Sequence, residues 1–347
     1  MRIQIVTDAW HPQVNGVVRT LTHTAAELEH MGHSVALVTP SLFHTIACPG
    51  YPEIRLSLAT PASVGEHLEE FRTEAVHIAT EGPLGLAART YCMKSGIPFT
   101  TSFHTRFPEY IRMRWRLPSG WGYAALRRFH GAAKRTLVPT EGLREELAAL
   151  GFRNLVLWDH GVDTTLFRPR PKAIMADPRP IFLYVGRVAQ EKNIEAFLDL
   201  DLPGTKYVVG DGPLLPHLRK KYRMARFVGC QTGEDLAQYY ANADALVFPS
   251  YTDTFGNVIL EALASGLPVA AYPVRGPLDI LDGTEAGVLD IDLGKAARAA
   301  LTLSPKVCRA HAEKFTLQAS ARQFLGHLQA FERWQSLVPT PAAAAAV

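Results

Sequence analysis

The chain is 347 residues long, a length that at roughly 100 to 200 residues per domain favours two domains over one. Apolar residues make up 47% and charged residues 20%, enough side chain for two buried cores and far from the composition of a disordered chain. Lysines and arginines number 36 against 33 acids, a net charge of +3 that excludes nucleic-acid binding by bulk charge, so any basic patch must be local. The four cysteines, Cys48, Cys92, Cys230 and Cys308, have no paired spacing, which argues against a disulfide framework or a zinc site and fits a reducing cytosol.

From Met1 a short alternating apolar run ends at Asp8 without the features of a signal peptide, so secretion is not expected. Short β-branched runs then recur, each closing on a polar or glycine turn ahead of a helix-like stretch, the pattern of βα units on a parallel sheet. In the first half strands are predicted at Arg2–Thr7, Ser34–Thr39, Ala75–Ala79, Pro98–Phe103, Arg135–Val138 and Leu155–Trp158. The stretch Phe167–Pro180, with Pro169, Pro171, Pro178 and Pro180 and no apolar period, is the predicted linker, with the boundary near residue 172. Strands follow at Ile181–Val185, Lys206–Val209, Ala225–Val228, Ala245–Pro249, Pro268–Ala271 and Gly287–Leu289. The apolar window Val258–Val274 is broken by Glu261, Ser265, Gly266, Pro268 and Pro273 and does not read as a membrane span of about 20 residues. Phe315–Trp334 reads as a C-terminal helix, and the alanine-rich end as a low-complexity tail. The expected fold class is α/β: two Rossmann-like, doubly wound domains facing a central cleft, with ligands bound where the carboxyl ends of both sheets open into it. The domains are assigned to 1–172 and 173–320, the end of the last helix to 321–335 and the tail to 336–347.

The informative residues lie at those strand ends. After the first strand, Asn15-Gly16 precedes a helix-like Val18–Met31, an arrangement that brings backbone amides to an anion. A plain turn explains Asn15-Gly16 equally well. The Gly-x-Gly-x-x-Gly and Gly-Lys-Ser/Thr fingerprints are missing there, which weighs against nicotinamide oxidoreductases and phosphate-loop enzymes. In the second half, Gly186-Arg187 and Lys192 sit on one strand-to-helix loop, where two cations suit a diphosphate, and Gly210 closes a further strand for close approach of a ligand. The loop ending in Asp253 runs into a helix predicted to start near Phe255, whose first amides face an anion. Glu261, about two turns on, is expected to project from nearly the same face as Asp253. Acids beside an anion-binding helix end suit a phosphorylated sugar, while a capped helix with a surface glutamate is the plainer alternative.

Taken together, the stretch Asp253–Pro268, the Gly186–Lys192 loop, Asn15-Gly16 and His160-Gly-Val-Asp163 resemble family four of the retaining, nucleotide-sugar-dependent glycosyltransferases, which have the two-domain GT-B fold. That family commonly has glutamate at both ends of the paired-acid motif; here the first acid is Asp253, which leaves the donor sugar open. The resemblance implies that Glu261 binds the donor ribose, Asp253 faces the transferred sugar, and Arg187 and Lys192 neutralise the diphosphate. It further implies that the amides of Phe255, Gly256, Asn257 and Val258 touch phosphate or sugar, that Gly16 lets the first domain close over the donor, and that His104, at a strand end, is the active-site histidine. Without the resemblance His104 reads as readily as a packed strand-end histidine. The two cations take the place of a metal in this picture, so neither metal nor cofactor is expected. By analogy with GT-B proteins the last helix is expected to cross back onto the first domain.

Residues 106–135 hold eight cations against Glu109 alone, a local +7 that leaves −4 for the rest of the chain. Arg106, Arg112, Arg114, Arg116, Arg127, Arg128, Lys134 and Arg135 are interleaved with Phe107, Tyr110, Ile111, Met113, Trp115, Leu117 and Trp121, a mixture suited to an anionic membrane surface. A helical wheel puts Trp121, Ala125, Phe129, Ala132 and Ala133 on one side and Arg127, Arg128, His130, Lys134 and Arg135 on the other. Packing of that apolar side on the sheet, and a phosphate-bearing acceptor, are alternatives on the same residues. The expected activity is metal-independent, retaining transfer of a hexosyl unit from GDP-mannose or a UDP-hexose to a lipid or lipid-linked acceptor by a cytoplasmic, peripherally membrane-bound enzyme. The alternatives are a soluble enzyme of polysaccharide or small-glycoside synthesis and a non-catalytic sugar-nucleotide binder.

Overall fold

Strand β1 (Arg2–Val6) pairs in parallel with β2 (Ser34–Val38) in the computed structural model, which describes residues 1–13, 15–48, 51–106, 108–109 and 119–332. A hairpin, β3 (Thr45–Cys48) and β4 (Tyr51–Ser57), comes next and pairs antiparallel. The chain then re-enters the sheet beyond β1 as β5 (Ala75–Ile78), β6 (Phe99–Ser102), β7 (Arg135–Val138) and β8 (Leu155–Leu157). The resulting order is β2-β1-β5-β6-β7-β8, parallel throughout. A second parallel sheet of the same design follows from β9 (Ile181–Val185), β10 (Thr205–Val209), β11 (Arg226–Gly229), β12 (Ala245–Phe248), β13 (Val269–Ala271) and β14 (Gly287–Leu289), ordered β11-β10-β9-β12-β13-β14. Every predicted strand forms, within a residue or two at its ends. The hairpin was not foreseen because its two strands are joined without a helix.

The central strands β1, β5, β9, β12 and β13 are buried along nearly their whole length, which is why they read mainly as apolar runs. In the first sheet, Val6, Val76, Ile78 and Phe99 pack against Leu68, Leu84 and Ala88, while Ile3 and Ile5 face Leu21, Leu28, Trp158 and Phe324. In the second, Leu183, Leu246 and Val269 meet Ile259 and Leu263, while Phe182 and Val247 meet Phe197, Leu218 and Ala297. Strand order reverses between β1 and β5 and again between β9 and β12, so the loops leaving those strands lie side by side at the carboxyl edges. Asp8, just beyond β1, joins the first pair: its carboxylate accepts from the amides of Leu84 (2.8 Å) and Gly85 (3.1 Å) at the start of the helix Pro83–Lys94.

Two stretches of chain pass between the sheets. The first, residues 158–180, has neither helix nor strand apart from an isolated bridge at Val162; the second leads into the helix Leu317–His327. They run together, Val162 pairing in parallel with Thr316, and a Cβ at Gly161 would lie 2.6 Å from the Leu317 amide nitrogen. The final helix packs on the first sheet: Trp158 Nε1 donates to the Ser320 carbonyl (3.2 Å), Arg135 to the Gly326 carbonyl (2.9 Å), and His327 Nε2 meets the Leu157 carbonyl (2.7 Å). It is shorter than the expected Phe315–Trp334, because Ala330 leaves it to bridge Ala75. Trp334 and the tail lie outside the described residues.

Phe324 is fully buried in the core of the first domain although it lies near the end of the chain. Phe324→Ala is expected to cost roughly 3 to 5 kcal/mol in denaturant unfolding, with new protease cleavage falling within residues 1–150 rather than in the second sheet.

Candidate active site

The loops after β9 and β12 are stitched together at the second switch point. Asn193 adopts the left-handed conformation (φ 51°), which asparagine tolerates better than most residues, and its Nδ2 donates to the Pro249 carbonyl at 3.0 Å. Thr252 Oγ1 donates to the Glu191 carbonyl at 3.2 Å. These ties bring Lys192 onto Asp253, whose Oδ1 accepts from Lys192 Nζ, while Asp253 Oδ2 is buried without a partner among the described residues. Arg187 lies on the same loop, partly buried, its carbonyl held by the Tyr184 hydroxyl at 2.7 Å. Gly210 (φ 145°) is required by the protein's own backbone: a Cβ there would sit 1.8 Å from the Gly186 carbonyl oxygen.

The helix after Asp253 spans Asn257–Ala264, two residues later than expected, because Gly256 (φ 97°) takes the left-handed turn that starts it. Among the described residues no side chain caps this helix, and no acid lies in its first turn, which leaves its amino end electropositive. Phe255 is a core residue and Val258 packs against the same core, so their side chains are structural.

This helix meets the helix Gly16–His30 of the first domain amino end to amino end. Asn15 caps the latter through Val18 N (3.0 Å), and Asn257 Nδ2 donates to the Gly16 carbonyl (3.4 Å) and Thr20 Oγ1 (3.1 Å). One step along, Thr254 Oγ1 donates to the His104 carbonyl at 2.8 Å, tying His104 to the residue after Asp253. His104 Nε2 is buried without a partner among the described residues. Its ring lies 5.7 Å from Trp158 and 5.9 Å from His160, and burial followed by the neighbouring imidazoles holds its pKa well below the ordinary value. His160 Nδ1 sits 3.0 Å from Asn257 Oδ1, with its ring edge-on to Phe255 at 4.8 Å.

Glu261 lies in the middle of the helix Asn257–Ala264. It points toward the Gly16–His30 helix. One carboxylate oxygen accepts from Arg19, the other from the Tyr240 hydroxyl at 2.8 Å, and the residue is 4% exposed. Beside it lies a cavity of about 20 Å³, lined among others by Arg19, His23, Asp163 and Asn257, too small for a ribose. Arg19, Tyr240, Thr254 and Asp8 had no signal in the sequence; His160 did, through its Gly-Val-Asp context.

The basic segment is also revised. Arg106 is 8% exposed and forms a two-pronged pair with Glu146 (2.6 and 2.9 Å), Arg135 is bonded to Gly326, and Arg127 donates to the Leu150 carbonyl (2.7 Å). The helix Ser119–His130 buries Tyr123, Leu126, Phe129 and His130, whereas Trp121 (84% exposed), Ala125, Arg127 and Arg128 face outward. His130 goes inside because Glu81 (3.0 Å) and Thr101 (2.9 Å) satisfy its ring, a pairing no helical wheel contains. Phe107, Tyr110, Ile111, Arg112, Met113, Arg114, Trp115, Arg116 and Leu117 lie outside the described residues. Among the described residues no cluster of three or more histidine, cysteine or acidic side chains is placed to hold a metal ion, and no helix is long and apolar enough to cross a membrane.

Two family models match in tandem, Glycosyltransferase Family 4 over residues 14–166 and Glycosyl transferases group 1 over 179–304. A GDP-mannose-dependent alpha-mannosyltransferase of Mycobacterium tuberculosis is 30% identical over 319 residues, covering 83% of each chain. The chain belongs to this glycosyltransferase family. Sulfoquinovosyl transferase SQD2 of Arabidopsis thaliana is 31% identical over 79% of the chain, which spans 60% of that relative's length. Alpha-monoglucosyldiacylglycerol synthase of Streptococcus pneumoniae is 27% identical, covering 78% of this chain and 71% of the relative. The GT-B fold is shared with the solved sucrose-phosphate synthase of Thermosynechococcus elongatus, with a TM-score of 0.77 at 20% identity over 94% of this chain and 97% of that one.

Burial lowers the His160 pKa from 6.5 to about 4, only partly opposed by its bond to Asn257. Between those values the unfolded chain binds a proton that the folded one does not, so stability falls as pH falls through that window. The pH slope of urea unfolding from 6.5 to 4 is expected to lessen by about 1.4 kcal/mol per pH unit in His160→Gln.

Proposed function

We propose that this protein is a retaining hexosyltransferase that transfers from a nucleoside diphosphate sugar, GDP-mannose or a UDP-hexose, to a lipid or lipid-linked acceptor at the cytoplasmic membrane surface. The observation that carries this reading is the meeting of Lys192 and Asp253 at the switch point, with Thr254 tying that loop to His104 of the first domain. Departure of the diphosphate builds negative charge, and Arg187, Lys192 and the uncapped amides at Asn257 are the groups that stabilise it where it forms. Lys192 exchanges Asp253 for phosphate, which frees the Asp253 carboxylate for sugar hydroxyls. Glu261 accepts from the ribose hydroxyls once the seam at Arg19 widens. The bond from the anomeric carbon to phosphate breaks as the acceptor oxygen bonds to the same face, and the acceptor's proton passes to the departing phosphate oxygen. Two cations and helix amides supply the charge in this reading, so no metal is assigned a part.

A lipid acceptor is supported by the relative named for glucosyldiacylglycerol synthesis and by the outward-facing Trp121, Arg127 and Arg128 of the helix Ser119–His130. GDP-mannose is the first donor to try, given the mannosyltransferase relative. With labelled nucleotide sugars and total membrane lipid, the label is expected to move into the organic phase on extraction. Label retained in water by a new product points instead to a soluble acceptor. Replacing Arg187 by Met is expected to lower turnover about 10²- to 10³-fold, and near-normal turnover removes Arg187 from diphosphate stabilisation.

A further inference from the structure

We propose that His160 Nε2 accepts a hydrogen bond from a hydroxyl of the transferred hexosyl unit and so helps to select the donor sugar; this deepens, and rests on, the transferase reading above. The argument starts at Asn257, whose amide orientation is fixed by its neighbours. The Gly16 carbonyl is only an acceptor, so the Asn257 atom facing it at 3.4 Å is the NH₂ group, which also reaches Thr20 Oγ1 at 3.1 Å. The Asn257 oxygen therefore faces His160, and at 3.0 Å it takes a proton from Nδ1. The ring is 6% exposed, with no carboxylate bonded to it among the described residues, and burial keeps it neutral. A neutral imidazole with its proton on Nδ1 carries a bare lone pair on Nε2. That atom is buried and no protein donor reaches it among the described residues.

A bare buried acceptor selects its ligand chemically. It repels phosphate, and a hydrocarbon chain leaves it unsatisfied, whereas a hydroxyl satisfies it. The location favours the donor sugar over the acceptor molecule. His160 is held by the first residue of the Asn257 helix and packs on Phe255, in the same short stretch as Asp253, whose Oδ2 is also buried with no partner among the described residues. Phe255 and Trp158 lie edge-on to the ring at 4.8 and 5.4 Å, and Asn257 holds Nδ1, so the lone pair is held in one direction. His160 is thus a specificity-determining residue distinct from His104.

The test is a cycle between protein and ligand, using the full chain and a set of donors each lacking one hydroxyl of the hexose. One deoxy donor is expected to lower kcat/KM roughly tenfold with the native protein. His160→Phe should show the same loss with the complete donor and no further loss with that deoxy donor. Calorimetry with the nucleoside diphosphate alone checks that His160→Phe is folded and still binds. Equal deoxy penalties in both proteins overturn the proposal while leaving the transferase reading intact. A native protein that transfers from no nucleotide sugar removes both. Independently of any variant, the nitrogen-15 signal of His160 Nε2 should move from that of a bare acceptor toward a bonded one on donor addition; an unmoved signal overturns the proposal.

Discussion

The pairing of Lys192 with Asp253 is the constraint around which the rest of the cleft is arranged. The two side chains are 22% and 18% exposed, partly withdrawn from water, and a pair in that setting adds little net stability because desolvation offsets attraction. What it does is hold two opposite charges at one point where β9 and β12 diverge. The backbone secures the arrangement: Asn193 reaches the Pro249 carbonyl, Thr252 reaches the Glu191 carbonyl, and Gly210 lets its strand end touch Gly186. Asn193 and Thr252 thus join the two loops that carry the pair without touching it themselves.

Much of the framework was legible in the chain itself. Strands buried on both faces read as apolar β-branched runs, and the rule that open α/β sheets bind ligands at their carboxyl edges singled out the loops of His104, Arg187, Lys192 and Asp253. The failures are local and physical. The helix was expected to start near Phe255, but the left-handed Gly256 delays it to Asn257, and the sequence held no sign that Glu261 would meet Arg19. Arg19 lies 242 residues away in sequence, and no local pattern connects such a pair. The helical wheel of Ser119–His130 placed His130 outside because periodicity cannot register that Glu81 and Thr101 wait for it in the interior. In the same way a count of cations overstated the basic surface: Arg106 is spent on Glu146 and Arg135 on a helix carbonyl.

The seam between the domains is polar by construction. Asn257 spans it to Gly16 and Thr20, Thr254 to the His104 carbonyl, and Arg19 to Glu261, with the imidazoles of His104 and His160 neutral alongside. An apolar seam of the same size would hold the domains shut through the hydrophobic effect. The hydrogen bonds and the ion pair found there among the described residues exchange with water at small net cost.

The helix Leu317–His327 belongs to the second half of the sequence but to the first half of the molecule. Phe324 and Leu328 complete the core formed by Ile3, Ile5, Leu21, Leu28 and Trp158, and Ala330 bridges back to Ala75. In topological terms the second domain is an insertion within the first. During synthesis on the ribosome, therefore, the segment translated first cannot close its own interior until the stretch from Phe324 to Ala330 has emerged, and the domain begun second is the one able to finish folding first.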